Sequence, residues 1–302
     1  MDIIRTTREL QERADFVRAQ GQTIALVPTM GALHAGHISL VATGRERADQ
    51  VWVSIFVNPT QFNEAKDFDG YPRTFETDAE LCRAAGVDVI FAPTPDQLYP
   101  PGAETWVEVG SLAEPLCGAT RPGHFRGVTT VVSKLFLAAR PHFAVFGEKD
   151  FQQLAVIRRM TLDMGFGIEI VGGETLREAD GLAMSSRNVH LGPVAREQAT
   201  ALVRAMGETE RAIAAGERSS AMLLEAVKKT IEEAPLATID YAELRDATSL
   251  LEAPEQLGGP TVLALAVIFA PDPDGQGAEV RLIDNRVLLS DETAARKTEE
   301  GS

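Results

Sequence analysis

Short apolar runs punctuate the first part of the chain. Residues 24–27, 51–57, 87–91, 144–146 and 168–171 are near-continuous apolar stretches rich in β-branched side chains. That is the pattern of strands buried on both faces of a parallel sheet. Between them the spacing turns helical: Val128, Val131, Val132, Leu135 and Phe136 fall on one helix face. Strand–helix alternation predicts an α/β fold, a Rossmann-like doubly wound parallel sheet, over residues 1–176. From about Arg177 the pattern changes. Residues 200–216 and 220–233 read as helices, and 238–244, 261–269 and 280–283 as strands. This predicts a smaller C-terminal α+β domain over 177–302, with a loop at 271–277 and a polar, frayed tail at 291–302.

The segments just after the strands locate a candidate site. Pro28-Thr29-Met30-Gly31, Asn58-Pro59-Thr60-Gln61, Gly147-Glu148-Lys149-Asp150 and Gly172-Gly173 each come directly after an apolar run. In open α/β sheets ligands bind outside the carboxyl ends of the strands, and here those ends gather glycine, proline and polar side chains.

Charge and composition narrow the function. The 302 residues carry 29 Lys and Arg against 44 Asp and Glu, a net charge of −15. This argues against general nucleic-acid binding, which needs a basic surface, but permits a local basic pocket for an anionic ligand. Cys82 and Cys117 form no C-x-x-C pair, and two thiols of a reducing compartment are the expectation. The N-terminus lacks a basic stretch followed by a long apolar one, and the longest apolar run, 262–270, is too short to span a bilayer. The reading is a soluble, cytoplasmic protein.

The run Met30-Gly31-Ala32-Leu33-His34-Ala35-Gly36-His37 lies between a strand and a helix expected to begin near His37. Glycines permit close backbone approach, and a helix N-terminus suits phosphate. His34 and His37, three apart, can address one bound group. A metal site would need a third ligand that spacing does not name. Taken alone, Gly147-Glu148-Lys149-Asp150 is either a phosphate-binding segment or a charged pair with an Asp cap at a helix start. Met184-Ser185-Ser186-Arg187 is either an anion-binding loop or a polar linker.

Taken together these segments resemble one family. His34-Ala35-Gly36-His37 looks like the H-x-G-H signature of the nucleotidyltransferase superfamily. The longer Pro28–His37 string resembles the pantoate–β-alanine ligases, as do five further blocks in the same order: 54–62, 71–74, 121–127, 146–154 and 180–188. The late Arg281-Leu282-Ile283-Asp284-Asn285 resembles the family's C-terminal strand.

The resemblance implies ATP-dependent ligation of pantoate and β-alanine through a pantoyl adenylate, with Mg²⁺ and a homodimeric assembly. It implies an ATP site of Met30, Gly31, His34, His37, Gly147, Glu148, Lys149, Asp150, Leu176, Met184, Ser185, Ser186 and Arg187. Of these, His37, His34, Lys149 and Arg187 are the catalytic candidates, with His37 expected as a general acid. Gln61, Gln153 and Asn58 are implied as contacts to pantoate and β-alanine. Asp150 is the candidate for Mg²⁺, directly or through water, or for the nucleotide. Met184–Arg187 resembles a shortened K-M-S-K-S loop suited to leaving pyrophosphate.

Arg121, His124 and Arg126 either add charge to the cleft or form a structural turn. Tyr71 and Arg73 carry a weaker signal, and no catalytic role is expected for His142 or His190. Two departures stand out. Glu174 occupies a place where the family usually has proline, near Leu176 and the adenine edge. The 271–277 loop is longer than usual and is expected to lie far from the motifs. Two other readings remain: transfer of AMP or CMP to a phosphorylated acceptor, which would call for Lys or Arg in place of Gln61 and Gln153, and a non-catalytic nucleotide- or RNA-binding module.

Overall fold

The computed structural model describes residues 1–63 and 68–289; the tail expected at 291–302 lies outside them. The chain divides into two compact units, Met1–Leu176 and Arg177–Ser302.

The first unit is built on six parallel strands: β1 Asp2–Ile4, β2 Ile24–Thr29, β3 Gln50–Ile55, β4 Val89–Phe91, β5 Phe143–Gly147 and β6 Glu169–Gly173. Their order across the sheet is β1-β4-β3-β2-β5-β6. Successive side chains on a strand point to opposite faces, and both faces are covered. Leu26, Trp52 and Phe91 pack with α1 (Thr7–Ala19), α4 (His124–Ala139) and α5 (Phe151–Asp163). Ala25, Val27, Val53 and Ile90 pack with α2 (Ala35–Arg47) and α3 (Phe75–Ala84). The doubly wound sheet expected from the apolar runs is therefore present. Strand order reverses between β2 and β5, which opens a crevice at their carboxyl ends.

Two local differences have physical causes. Three-residue β1 lies at the sheet edge against β4 and is too short to show a period. Gly172 and Gly173 sit inside β6, paired with Phe146 and Gly147, rather than after it. A Cβ on Gly173 would come 2.2 Å from Leu40 of α2, so glycine there lets strand and helix close up.

The second unit is an antiparallel sheet, β7 Ala237–Asp246, β8 Thr261–Phe269 and β9 Val280–Leu288, with β8 central. Leu263, Leu265, Val267 and Phe269 of β8 pack with α6 (Ala201–Ala214) and α7 (Ser220–Glu232), the expected α+β arrangement. Among the described residues no helix is long and apolar enough to cross a membrane.

Candidate active site

The β2–α2 turn is set by backbone sterics and two imidazoles. Gly31 has φ +86° and Ala32 φ +51°, both in the left-handed region. A Cβ on Gly31 would come 3.0 Å from the Asp78 carboxylate and 3.2 Å from Ile55, so glycine is required on two counts. Helix α2 begins at Ala35, two residues before the expected start, because His34 is its N-cap. His34 Nδ1 accepts from the Gly36 N–H at 3.1 Å, and His37 Nδ1 accepts from the His34 N–H at 3.3 Å. This is a capping box made of two histidines, their ring centroids 4.2 Å apart. With each Nδ1 an acceptor, the proton of each neutral ring sits on Nε2.

The general-acid role expected for His37 meets an environment that disfavours the protonated ring. Burial pushes its pKa down to about 3, with His34 and Lys149 adding to the effect. Burial and then Lys149 lower that of His34. In the ligand-free chain both rings are neutral at pH 7, so each offers an Nε2–H hydrogen bond rather than a proton. This has a consequence for stability. The unfolded chain protonates His37 near pH 6.5 while the folded chain does not until about pH 3, so the unfolded state binds more protons below 6.5. His37 therefore contributes nothing above that pH and destabilises progressively below it, by about 2 kcal/mol at pH 5. Urea denaturation at pH 7.5 and pH 5 should show a smaller acid loss for His37→Gln than for the native chain. Equal losses would contradict the assignment.

At the end of β3, the amide of Asn58 is fully engaged inside the protein. Asn58 is 1% exposed. Its Nδ2 donates to Gln61 Oε1 and the Gly127 carbonyl, at 3.0 and 3.1 Å, and its Oδ1 accepts from Thr60 Oγ1 and the Tyr99 hydroxyl, both at 2.9 Å. Both ends of the Asn58 amide, expected as a direct substrate contact, are therefore taken up by protein partners, Gln61 among them. The Gln61 amide meets the segment after β2 through Nε2, 3.2 Å from the Met30 sulfur.

The 121–127 block serves the same turn. Arg121 Nη2 donates to the Gln61 carbonyl at 3.2 Å, and His124 Nδ1 lies 2.9 Å from it. Arg126 stacks over Trp106. A Cβ on Gly127 would come 2.4 Å from the Thr60 carbonyl oxygen and 2.8 Å from the Gln61 nitrogen. Gly127→Ala must therefore displace the 58–61 turn, and we expect a loss of stability of about 1–3 kcal/mol, as overpacking a close contact costs. Urea denaturation checks it, with an unchanged midpoint as the contrary result.

At the end of β5, Gly147 leads into a 3₁₀ turn, Glu148–Asp150, and then α5. Lys149 is half-buried, and its charge acts on both imidazoles. Asp150 is exposed at the N-cap position of α5 but makes no capping hydrogen bond, so the Asp-cap reading does not hold. Gln152 is buried and bonded to the Cys117 N–H and to the Leu112 and Pro115 carbonyls, while Gln153 is half-buried on an adjoining face of α5. Beyond β6, Glu174 and Leu176 are exposed. Among the described residues no group of three His, Cys, Asp or Glu side chains could hold a metal ion.

In the second unit, Met184, Ser185 and Ser186 are half-buried and Arg187 is exposed. The run is tied down on both sides. Arg177 makes a bidentate pair with Asp284, at 2.7 and 3.0 Å, and donates to the Gly181 carbonyl. Arg196 bonds both Glu178 and Asp180, and Asn188 donates to Glu178 and the Ala183 carbonyl. The 271–277 loop is not remote from this motif. Buried Asp272 accepts from the N–H groups of Val194 and Ala195, and the Ala278 N–H donates to the His190 carbonyl. That holds the segment just after Arg187.

Sequence reasoning passed over Tyr99, Gly127 and Asp78. The glycine lay within a singled-out block. The other two carry no local signal, because their partners lie far away in the chain.

Comparison with known proteins identifies the family. The sequence profile of the pantoate-beta-alanine ligase family matches residues 2–287. The pantothenate synthetase of Solidesulfovibrio magneticus is 52% identical over 288 residues, 95% of this chain and 98% of that protein. That of Desulfatibacillum aliphaticivorans is 50% identical over 288 residues, covering 95% and 99%. A crystal structure of pantothenate synthetase from Thermus thermophilus aligns with a TM-score of 0.86 at 41% identity, covering 95% of this chain and 99% of that one. A pantoate-beta-alanine ligase from Francisella tularensis, complexed with beta-gamma ATP and beta-alanine, aligns with a TM-score of 0.76 at 32% identity, covering 95% and 97%. With a matching profile along nearly its whole length and relatives at about half identity, this chain belongs to the pantoate-beta-alanine ligase family.

Proposed function

We propose that this chain joins pantoate to β-alanine in two steps through a pantoyl adenylate. A carboxylate oxygen of pantoate attacks the α-phosphorus of ATP, and pyrophosphate leaves. The amine of β-alanine then attacks the acyl carbon, AMP leaves, and an amide bond remains. Neither step needs an enzyme nucleophile. Both need positioning, charge neutralisation and exclusion of water.

The observation that carries the reading is the meeting of three parts at the carboxyl ends of β2, β3 and β5. These are two neutral imidazoles on a helix N-terminus, the Lys149 charge acting on both, and the Gln61 amide held against Met30. His34 and His37 donate from Nε2 to phosphate oxygens, and Lys149 neutralises charge that builds at the α-phosphate. Gln61 and Gln153 take the hydroxyls and carboxylate of pantoate, with Asn58 orienting Gln61. Met30, Gly31, Gly147, Glu148 and Leu176 shape the nucleotide site of the first unit.

Mg²⁺ comes with the nucleotide, shielding its phosphate charge. Mg²⁺ keeps most of its waters and takes few protein ligands, which fits a site offering the exposed carboxylate of Asp150 and, among the described residues, no cluster of ligating side chains. A reducing, cytoplasmic setting belongs to the proposal. A homodimer is part of the same reading, and sedimentation at micromolar concentration checks it.

Isotope transfer tests the chemistry. With pantoate labelled with ¹⁸O in its carboxylate, one label should appear in AMP. Unlabelled AMP, or ADP and phosphate as products, would refute the adenylate.

A further inference from the structure

The turn that carries His34 and His37 is held from behind by a carboxylate that the reaction does not use. Asp78, on α3, is 1% exposed. Its Oδ1 accepts the Leu33 N–H at 2.7 Å and its Oδ2 accepts the Ala32 N–H at 3.0 Å, with the Thr74 hydroxyl donating to Oδ2 at 3.2 Å. Burying a carboxyl group is costly unless hydrogen bonds satisfy it, and here two of the three donors are consecutive backbone amides of the nucleotide turn. Gly31 and Ala32, both at positive φ, curl that backbone into a concavity of N–H groups of the kind that binds anions. Asp78 fills it. A non-glycine residue at φ +51° persists only where its surroundings over-determine it, and the paired bonds to Asp78 do so for Ala32.

We propose that Asp78 is the positioning residue of the nucleotide turn: its carboxylate occupies the Ala32–Leu33 amides and thereby fixes where His34 and His37 present their Nε2–H groups. The inference rests on the ligase reading above and names a residue that acts through others. Leu33 precedes His34 directly, and the His34 N–H in turn holds His37 Nδ1. A shift of the turn therefore reaches both rings. The Ala32 and Leu33 amides are also unavailable to the nucleotide, so phosphate is received by the imidazoles and the helix N-terminus instead.

Asp78→Asn tests this, because its amide turns a donor toward one of the two N–H groups with little change of volume. Thr74→Val is the control, since it removes the hydroxyl and leaves both backbone bonds. We expect Asp78→Asn to fold, to lower kcat for pantoate-dependent pyrophosphate release about 30- to 100-fold and to raise the ATP KM. Its ¹⁵N imidazole shifts should move from the Nε2–H tautomer pattern toward averaged values. Thr74→Val should stay within about threefold of the native chain. Kinetic constants within about twofold for a folded Asp78→Asn, or a loss in Thr74→Val as large as that in Asp78→Asn, would overturn the proposal.

Should Asp78→Asn not fold, amide exchange in the native chain decides. The Ala32 and Leu33 amides should exchange as slowly as the β2 core, with or without saturating ATP, and rapid exchange would overturn the proposal. A native chain inert toward pantoate, with those amides still protected and the imidazole shifts still displaced in the variant, would sink the ligase reading and leave the positioning role standing.

Discussion

Lys149→Met should lower pantoate-dependent pyrophosphate release by about three orders of magnitude, as loss of a charge aimed at a developing oxyanion does, while the chain keeps its fold. Lys149 stands on the 3₁₀ turn that β5 hands to α5, half-buried, and its charge acts on both His34 and His37. In the proposed adenylation, negative charge builds at the α-phosphate on oxygens that neutral imidazoles can only hydrogen-bond, and Lys149 would supply a fixed positive charge there. Methionine keeps the apolar stem, so packing changes little. The variant has a second signature. Removing a positive neighbour relieves part of the depression of both imidazoles, burial remaining the larger cause for each. Their pKa values should rise, which NMR titration reads. A folded Lys149→Met enzyme with near-native turnover would refute the role.

His37→Ala should cost about two orders of magnitude in the same step, the usual effect of losing one aimed donor. Alanine is well tolerated in a helix, so the variant should melt cooperatively like the native chain at pH 7.5. The ring's Nε2–H is lost together with the acceptor for the His34 N–H, so the capping box opens as well. With His37 proposed as a neutral donor, its removal should lower the rate equally at pH 6.5 and pH 8.5. A loss confined to the acid side of that range would point back to proton donation. A folded variant within about fivefold of the native rate would remove His37 from the mechanism.

The sheet and the place of the site were legible because both rest on short-range patterns. Near-continuous β-branched runs mark strands covered on two faces, and Gly, Pro and polar residues directly after them mark carboxyl ends. The second unit was legible as a change of pattern at Arg177. Which hydrogen bonds a side chain has already made is not a matter of pattern. Asn58 reads as a substrate amide until burial shows both ends of its side chain occupied. His37 reads as a proton donor by residue type, and the burial and the Lys149 charge that disfavour its protonated form are not in the pattern. Asp78 is an unremarked acid in the amphipathic run Phe75–Ala84, because the amides it receives lie far earlier in the chain. The 271–277 loop looked remote along the chain, yet Asp272 reaches the Val194 and Ala195 amides just beyond the Met184–Arg187 run. Each of these depends on the packing of distant segments, which local spacing does not encode.

The most direct test of two-step adenylation is release of pyrophosphate and AMP from ATP and Mg²⁺, with pantoate alone and with pantoate plus β-alanine. Pantoate alone should give a single burst of pyrophosphate, of about one per site, and almost no AMP. Adding β-alanine should start steady release of both. Pyrophosphate that appears only when β-alanine is also present, or not at all while ATP still binds, would contradict the account.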